Sequence, residues 1–280
     1  RFNALYRLSD DVNIYATVSK GRRSPTVNQT ATSSSVIPEE NVWNYEGGIK
    51  GSSGILSGSL GVYYQKYSNF QVSRVISDPN DPSGRPVGST VTESAGSASN
   101  LGVEAELQLR PTDWLTVFGN VGWIDGGIDD KPENGIYAGN RFRLQPEWQA
   151  AGGFTIDAPL ANGMRLFLTP SITYRSKIFF ETTNRPEIAQ GPVTLVNAKG
   201  GVSFAEDRFE LAAFVRNLTN KNYLLDAGNT GGAFGATTAT ANPFNLGGAA
   251  ATSPAKSLFG APAATNNVFG KPANNLFGTT

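Results

Sequence analysis

Glu104 and Glu106 are the residues whose type and spacing come nearest to a catalytic arrangement. They lie two positions apart in a segment of strict alternation, so both carboxylates fall on one side of a strand, about 7 Å apart by strand rise. That spacing would suit paired carboxylates in glycoside hydrolysis, and it suits a charged wall facing water at least as well. Asp125, Asp129, Asp130 and Glu133 form an acidic stretch with oxygen ligands for Ca²⁺, without the regular Asp-x-Asp-x-Asp-Gly order of a dedicated loop. Arg22 and Arg23, next to Ser24 and Pro25, offer guanidinium groups to an anionic ligand or to a lipopolysaccharide phosphate. Gly228 to Gly235 is glycine-rich but contains no Gly-x-x-x-x-Gly-Lys-Ser/Thr and leads into no helix, so it reads as a loop. The 280 residues contain 0 His and 0 Cys, which excludes Ser-His-Asp and Cys-His nucleophiles, His/Cys zinc centres and disulfide frameworks. No catalytic residue, metal or cofactor is assigned, and no enzymatic activity is expected.

The elements that must position these residues are strands. Charged residues are only 16% of the chain, against about a quarter in ordinary globular proteins, and the 32 glycines and 10% aromatics point to β-structure with many turns. The charges balance, 23 basic against 23 acidic, so nothing suggests a nucleic-acid partner. From Leu101 to Arg110 the odd positions are Leu, Val, Ala, Leu and Leu, while the even ones are Gly, Glu, Glu, Gln and Arg. The same period of two runs through Val12, Ile14, Ala16 and Val18; through Leu56, Leu60, Val62 and Tyr64; through Leu115, Val117, Val121 and Trp123; through Met164, Leu166, Leu168, Ile172 and Tyr174; and through Phe209, Leu211, Ala213 and Val215. A soluble sandwich alternates too, so the connections carry the second argument.

Short turns at Ser9 to Asp11, Gly51 to Gly54, Pro111 to Asp113, Leu160 to Gly163 and Ala205 to Arg208 alternate with long polar loops. The loops run roughly from Gly21 to Glu40, Ser77 to Ser99, Asp125 to Leu144 and Lys177 to Gly191. Short periplasmic turns and long extracellular loops belong to outer-membrane barrels. Segments of roughly 9 to 13 residues suffice to cross the hydrocarbon at a tilt, and no run approaches the roughly 18 apolar residues a membrane helix needs. Trp114 and Phe209 sit just after short turns, and Trp123 and Tyr174 near long loops, as two aromatic girdles would.

These residues resemble the C-terminal barrel portion of a TonB-dependent outer-membrane receptor. The resemblance is carried by Tyr15 to Pro25, entering a basic Gly-Arg-x-Ser-Pro element; by Tyr45-Glu46-Gly47-Gly48-Ile49-Lys50; by Asn100-Leu101-Gly102-Val103-Glu104; and by Asn217-Leu218-Thr219-Asn220-Lys221-Asn222-Tyr223. It covers about residues 1–235 and implies part of a barrel of about 22 strands. This chain would supply about ten of them, with the plug and further strands outside it. The implied function is TonB-dependent uptake of a scarce ligand, a ferric siderophore first and cobalamin or a glycan otherwise, across the bacterial outer membrane. The implied partners are that ligand, TonB through the missing plug, and outer-membrane lipid. Arg22, Arg23, Asn41, Trp43, Glu104, Glu106, Arg141 and Arg143 are the expected ligand contacts, from the long loops and the lumen face.

The expected fold is therefore all-β, an antiparallel transmembrane β-barrel fragment of about ten strands over 1–235, followed by a mostly disordered, low-complexity tail over 236–280. In the tail Ser257-Leu258-Phe259-Gly260, Asn267-Val268-Phe269-Gly270 and Asn275-Leu276-Phe277-Gly278 resemble nucleoporin Phe-Gly repeats, with too little apolar mass to order the segment. An alternative reading follows from them, an interaction module or fusion of that type acting through Phe259, Phe269 and Phe277. A soluble β-sandwich adhesin is the third reading, and it requires the aliphatic faces to be buried against one another.

Overall fold

The structure, a computed structural model, describes residues 1–29, residues 34–228 and the two-residue strand Thr237–Thr238. Ten strands form one antiparallel sheet: β1 (Phe2–Arg7), β2 (Val12–Arg23), β3 (Glu40–Ser53), β4 (Leu56–Ser68), β5 (Ala98–Thr112), β6 (Leu115–Ile128), β7 (Trp148–Pro159), β8 (Arg165–Arg175), β9 (Val193–Phe204) and β10 (Phe209–Val215). Their order in the sheet is their order in the chain. β1 and β10 stand at its two ends and are not paired with each other among the described residues. Residues 236–280, with Phe259, Phe269 and Phe277, lie outside the described residues apart from Thr237–Thr238.

Register turns the period-two pattern into two chemically distinct faces, because directly opposed residues of an antiparallel pair share a side. Ile14, Ile49, Leu60, Ala105, Val121, Ala150 and Tyr174 form one unbroken cross-strand row over β2 to β8. One residue away, Asn13, Lys50, Ser59, Glu106, Asn120, Ala151 and Thr173 form the parallel row on the opposite face. A slip of one residue in any pair would exchange the two.

Bulk is matched across the strands of the polar face. Tyr15 is opposite Gly48, Tyr63 opposite Gly102, Phe118 opposite Gly153, and Phe167 opposite Gly201, so a ring meets a glycine at alternate strand junctions. A methyl group at Gly48 would stand 2.7 Å from Tyr15 Oη, one at Gly153 2.9 Å from Phe118 Cζ, and one at Gly201 2.7 Å from Phe167 Cζ. At Gly102 it would clash with Tyr63 Cζ. The glycines leave room for ring atoms that a side chain would displace, a packing that covers a strand otherwise weakened by glycine.

The strands β2 to β9 run 11 to 15 residues each, and only β3, β5 and β6 exceed the expected length, because their pairing continues toward the long connections. The loops differ from the plain polar segments the sequence suggests. Thr26–Gln29 pairs with Ser34–Ile37, Gln71–Val75 with Thr90–Ser94, and Ile178–Phe179 with Ala189–Gln190, while Pro132–Tyr137 forms a short 3-10 segment. They also hold the tightest apolar packing. Ile76 is 0% exposed, Phe180 1% and Ile178 2%, with Val72, Val91, Ala95, Ile128 and Tyr137 also buried. Wall residues such as Leu60, Val62, Leu107, Val121 and Ile172 remain exposed. The aliphatic faces are thus not buried against each other, which removes the sandwich reading.

Gly102→Ala should destabilise the sheet by about 1–3 kcal/mol through overpacking against Tyr63. In a Tyr63→Ala background the same change should cost under about 0.5 kcal/mol, because the clash has been removed. Urea unfolding in lipid vesicles, followed by tryptophan fluorescence, measures both; additive costs would show that the ring and the glycine do not interact.

Candidate functional site

All four long connections leave the same end of the sheet, since each follows an even-numbered strand and precedes an odd-numbered one. There they are tied to one another and to the strand ends. Buried Glu40 at the start of β3 accepts a hydrogen bond from the Gln71 amide at 2.7 Å, and Gln71 Nε2 donates to the carbonyls of Ser24 and Pro38 at 3.1 and 2.9 Å. Asn28 Nδ2 donates to the Thr92 carbonyl at 2.5 Å. Asn134, also buried, receives the Ser97 amide at 3.1 Å and donates to the Asp129 carbonyl at 2.7 Å. Asn184 bridges to Arg141 by its side-chain oxygen and its amide, at 2.7 and 2.9 Å. Beneath them the rings of Tyr67, Phe70 and Phe142 meet with centroids 4.7 to 5.9 Å apart.

The last three of these loops, with residues 226–228, border an open vestibule of about 860 Å³, whose lining includes Arg74, Glu93, Tyr137, Arg143, Arg185 and Asp226. Its best-defined polar element is centred on Arg74, whose guanidinium holds Asp81 at 2.5 Å and Glu93 at 2.9 Å. Tyr137 donates its hydroxyl to Glu93. The Arg74 hydrogen bond, together with one from Ser83, holds the Asp81 carboxyl well below the usual carboxylate range. Burial and the bond to Glu93 push the Tyr137 phenol up. A second recess of about 620 Å³ lies on the polar face of the wall and is lined by Glu104, Glu106, Asn120, Gln149, Arg175 and Tyr223 among others.

The residues expected to contact a ligand divide into three sets. Glu104 and Glu106 do lie together on the polar face, bordering the lower recess. Arg143 borders the vestibule, while Arg23 and Arg141 lie outside its lining, and all three are engaged: Arg23 with Glu40 at 3.9 Å and the Gln71 carbonyl at 3.4 Å, Arg141 with Glu147 at 2.7 Å, and Arg143 with the Phe180 carbonyl at 2.6 Å and Asp226 at 3.3 Å. Arg22, Asn41 and Trp43 are not brought to either cavity. Arg22 is opposite Asn41, and Trp43 opposite Lys66, in the register of the aliphatic face. The parity was already in the sequence, because Trp43 is an even step from Tyr45 and Ile49. Arg74, Glu93, Tyr137 and Arg185 were missed, since only long-range loop packing gathers them. The acidic stretch makes no cation site: Asp129 pairs with Lys131 at 3.0 Å, and no group of three or more acidic side chains among the described residues is placed to hold a metal.

Arg74→Gln should leave Asp81 and Glu93 facing each other uncompensated, lowering the local stability of residues 71–94 by about 2 kcal/mol. Hydrogen exchange of that segment is the measurement, with the wall strands as internal reference. A carboxylate with a depressed native pKa stabilises above its unfolded value and loses that contribution as pH falls below it. Wild-type protection should therefore hold from pH 7 to roughly pH 4 and decline below, starting near the unfolded Asp value. No change in exchange for Arg74→Gln would remove the network from the loop's stability.

Comparison with known proteins places this architecture. The family model described as "TonB dependent receptor-like, beta-barrel" matches residues 1–218. Among solved structures, the ferric yersiniabactin uptake receptor FyuA from Yersinia pestis superposes with a TM-score of 0.69 at 20% identity, covering 84% of this chain and 34% of that one. BauA, the ferric preacinetobactin receptor from Acinetobacter baumannii, gives 0.64 at 20% identity over 85% and 34%, and the siderophore receptor PiuA from the same organism 0.63 at 17% over 85% and 33%. The chain spans about a third of the length of these structures. At such identities the superpositions establish the fold, while the family match rests on the sequence itself. With its chain-order antiparallel meander, its aliphatic and charged faces and its loops gathered at one end, the chain belongs to the TonB-dependent receptor β-barrel family of the bacterial outer membrane.

Proposed function

We propose that this chain forms part of the wall and mouth of an importer that takes up a ferric siderophore across the outer membrane with energy delivered by TonB. The observation that supports the reading is the presence of two recesses lined in part by charged side chains, one built by the loops and one around Glu104 and Glu106 on the polar face of the sheet. A ligand too large and too polar for the bilayer needs such a route, entered from outside and lined by charge. Arg143 and Arg185 border the vestibule together with Glu181 and Asp226, which gives a chelate bearing both carboxylates and amide donors complementary partners. The open ends of the sheet, β1 and β10, would be closed by further strands of the same barrel, and the contact with TonB would be made through a plug outside this chain. The part played here is transport, with no bond made or broken. Cobalamin and a glycan are the competing cargoes, and the three siderophore-related neighbours favour the ferric complex.

Binding of a panel of ferric catecholate, hydroxamate and carboxylate complexes to the purified chain, read by tryptophan quenching, tests this. At least one ferric complex should bind, and Arg143→Ala should weaken it about tenfold, the equivalent of one charge-assisted hydrogen bond. Binding of cobalamin or an oligosaccharide with no response to any ferric complex would replace the proposed cargo.

A further inference from the structure

Charged side chains are rare on the lipid-facing register of the ten strands: Lys20, Arg22, Lys66 and Asp125. The three cations are neighbours. Lys20, Trp43 and Lys66 occupy one row across β2, β3 and β4, and Arg22 stands in the next row toward the loops, opposite Asn41. At the strand spacing of roughly 4.8 Å the two lysines flank Trp43 about 10 Å apart. Lys20 Nζ lies 5.8 Å from the Trp43 ring centroid. The row below holds Tyr45 opposite Tyr64, and two rows further down Ile49 is opposite Leu60. Beyond Lys66 the row continues through the small residues Ser99 and Gly127, and the backbone of Asn140 and Arg141 packs at Gly127.

The electrostatics of this patch are unbalanced. Glu39 reaches Arg22 at 3.8 Å, but among the described residues neither Lys20 nor Lys66 has a carboxylate within ion-pairing distance. Asp125 is two strands beyond Lys66 and one row lower, roughly 12 Å away by sheet spacing. Trp and Tyr on a lipid-facing surface mark the headgroup level, and long cationic side chains just above them reach into that layer. Cations held there are attracted to anionic lipid by about 1 kcal/mol each.

We propose that Lys20, Lys66 and Arg22, arranged around Trp43, form a docking site for the phosphate groups of an outer-leaflet glycolipid of the lipid A class. The acyl chains would lie along the Ile49 and Leu60 rows while the phosphates meet the two ammonium groups.

The test reconstitutes the full chain into phosphatidylcholine vesicles containing a minor fraction of either diphosphorylated lipid A or its enzymatically dephosphorylated form. The protein is then extracted in mild detergent and retained lipid is counted by native mass spectrometry. Wild type should retain the diphosphorylated lipid in preference to both the dephosphorylated form and phosphatidylcholine. Lys20→Gln with Lys66→Gln should weaken that preference about thirtyfold, the product of two surface cations. Lys50→Gln, which removes one charge from the polar face, should leave it unchanged, and heat-modifiable gel mobility identifies any variant that has not folded. Lack of preference in wild type overturns the site without reference to any variant. So does equal retention by the folded double variant, or an equal loss in Lys50→Gln.

Discussion

The fold depends on one constraint, that a backbone amide or carbonyl inside hydrocarbon has no water to bond and must find its partner in the neighbouring strand. Chain-order antiparallel pairing meets that requirement with the shortest connections. Once the ladder is made, its register decides on which face every side chain stands. The rings over Gly48, Gly102, Gly153 and Gly201 reinforce the choice, since each ring fits only opposite a residue without a side chain. A slipped strand would lose those contacts and would also turn Glu104 or Lys50 toward lipid.

That constraint also inverts the usual place of a core. A wall one strand thick has lipid on one side and water on the other, so its aliphatic residues cannot bury one another. Close packing appears where the chain leaves the membrane, around Ile76, Ile178 and Phe180. Two buried polar groups there are paired across the loops: Glu40 takes the Gln71 amide, and Asn134 takes the Ser97 amide. The close packing of this chain is consequently in its mouth.

Two surfaces divide the work between them. In the proposed function the charged face and the vestibule would form the route for cargo, with arginines already opposed by carboxylates, so that a ligand would exchange partners with them instead of meeting bare charge. The opposite face is aliphatic, edged with aromatic side chains, and among the described residues of the ten strands cationic at Lys20, Arg22 and Lys66. Trp43 belongs to this second surface, although its position at the start of a strand below a long loop suggested the first.

Alternation determined the strands and their two faces, because a period of two is a local property that a strand cannot disguise, and the alternation of short turns with long loops separated a barrel from a sandwich. It also contained the parity that places Trp43 with Tyr45 and Ile49, and Glu104 with Glu106. The family motifs around Tyr45, Asn100 and Asn217 were legible for the same reason, being contiguous. What the sequence did not determine was the mouth. Arg74 meets Glu93 across a hairpin and Asn28 meets Thr92 between two loops, contacts that no periodicity encodes. Those loops take their shape from packing on one another and on the strand ends. Only the tertiary structure could decide which residues line the vestibule, because that depends on contacts made over tens of residues of sequence.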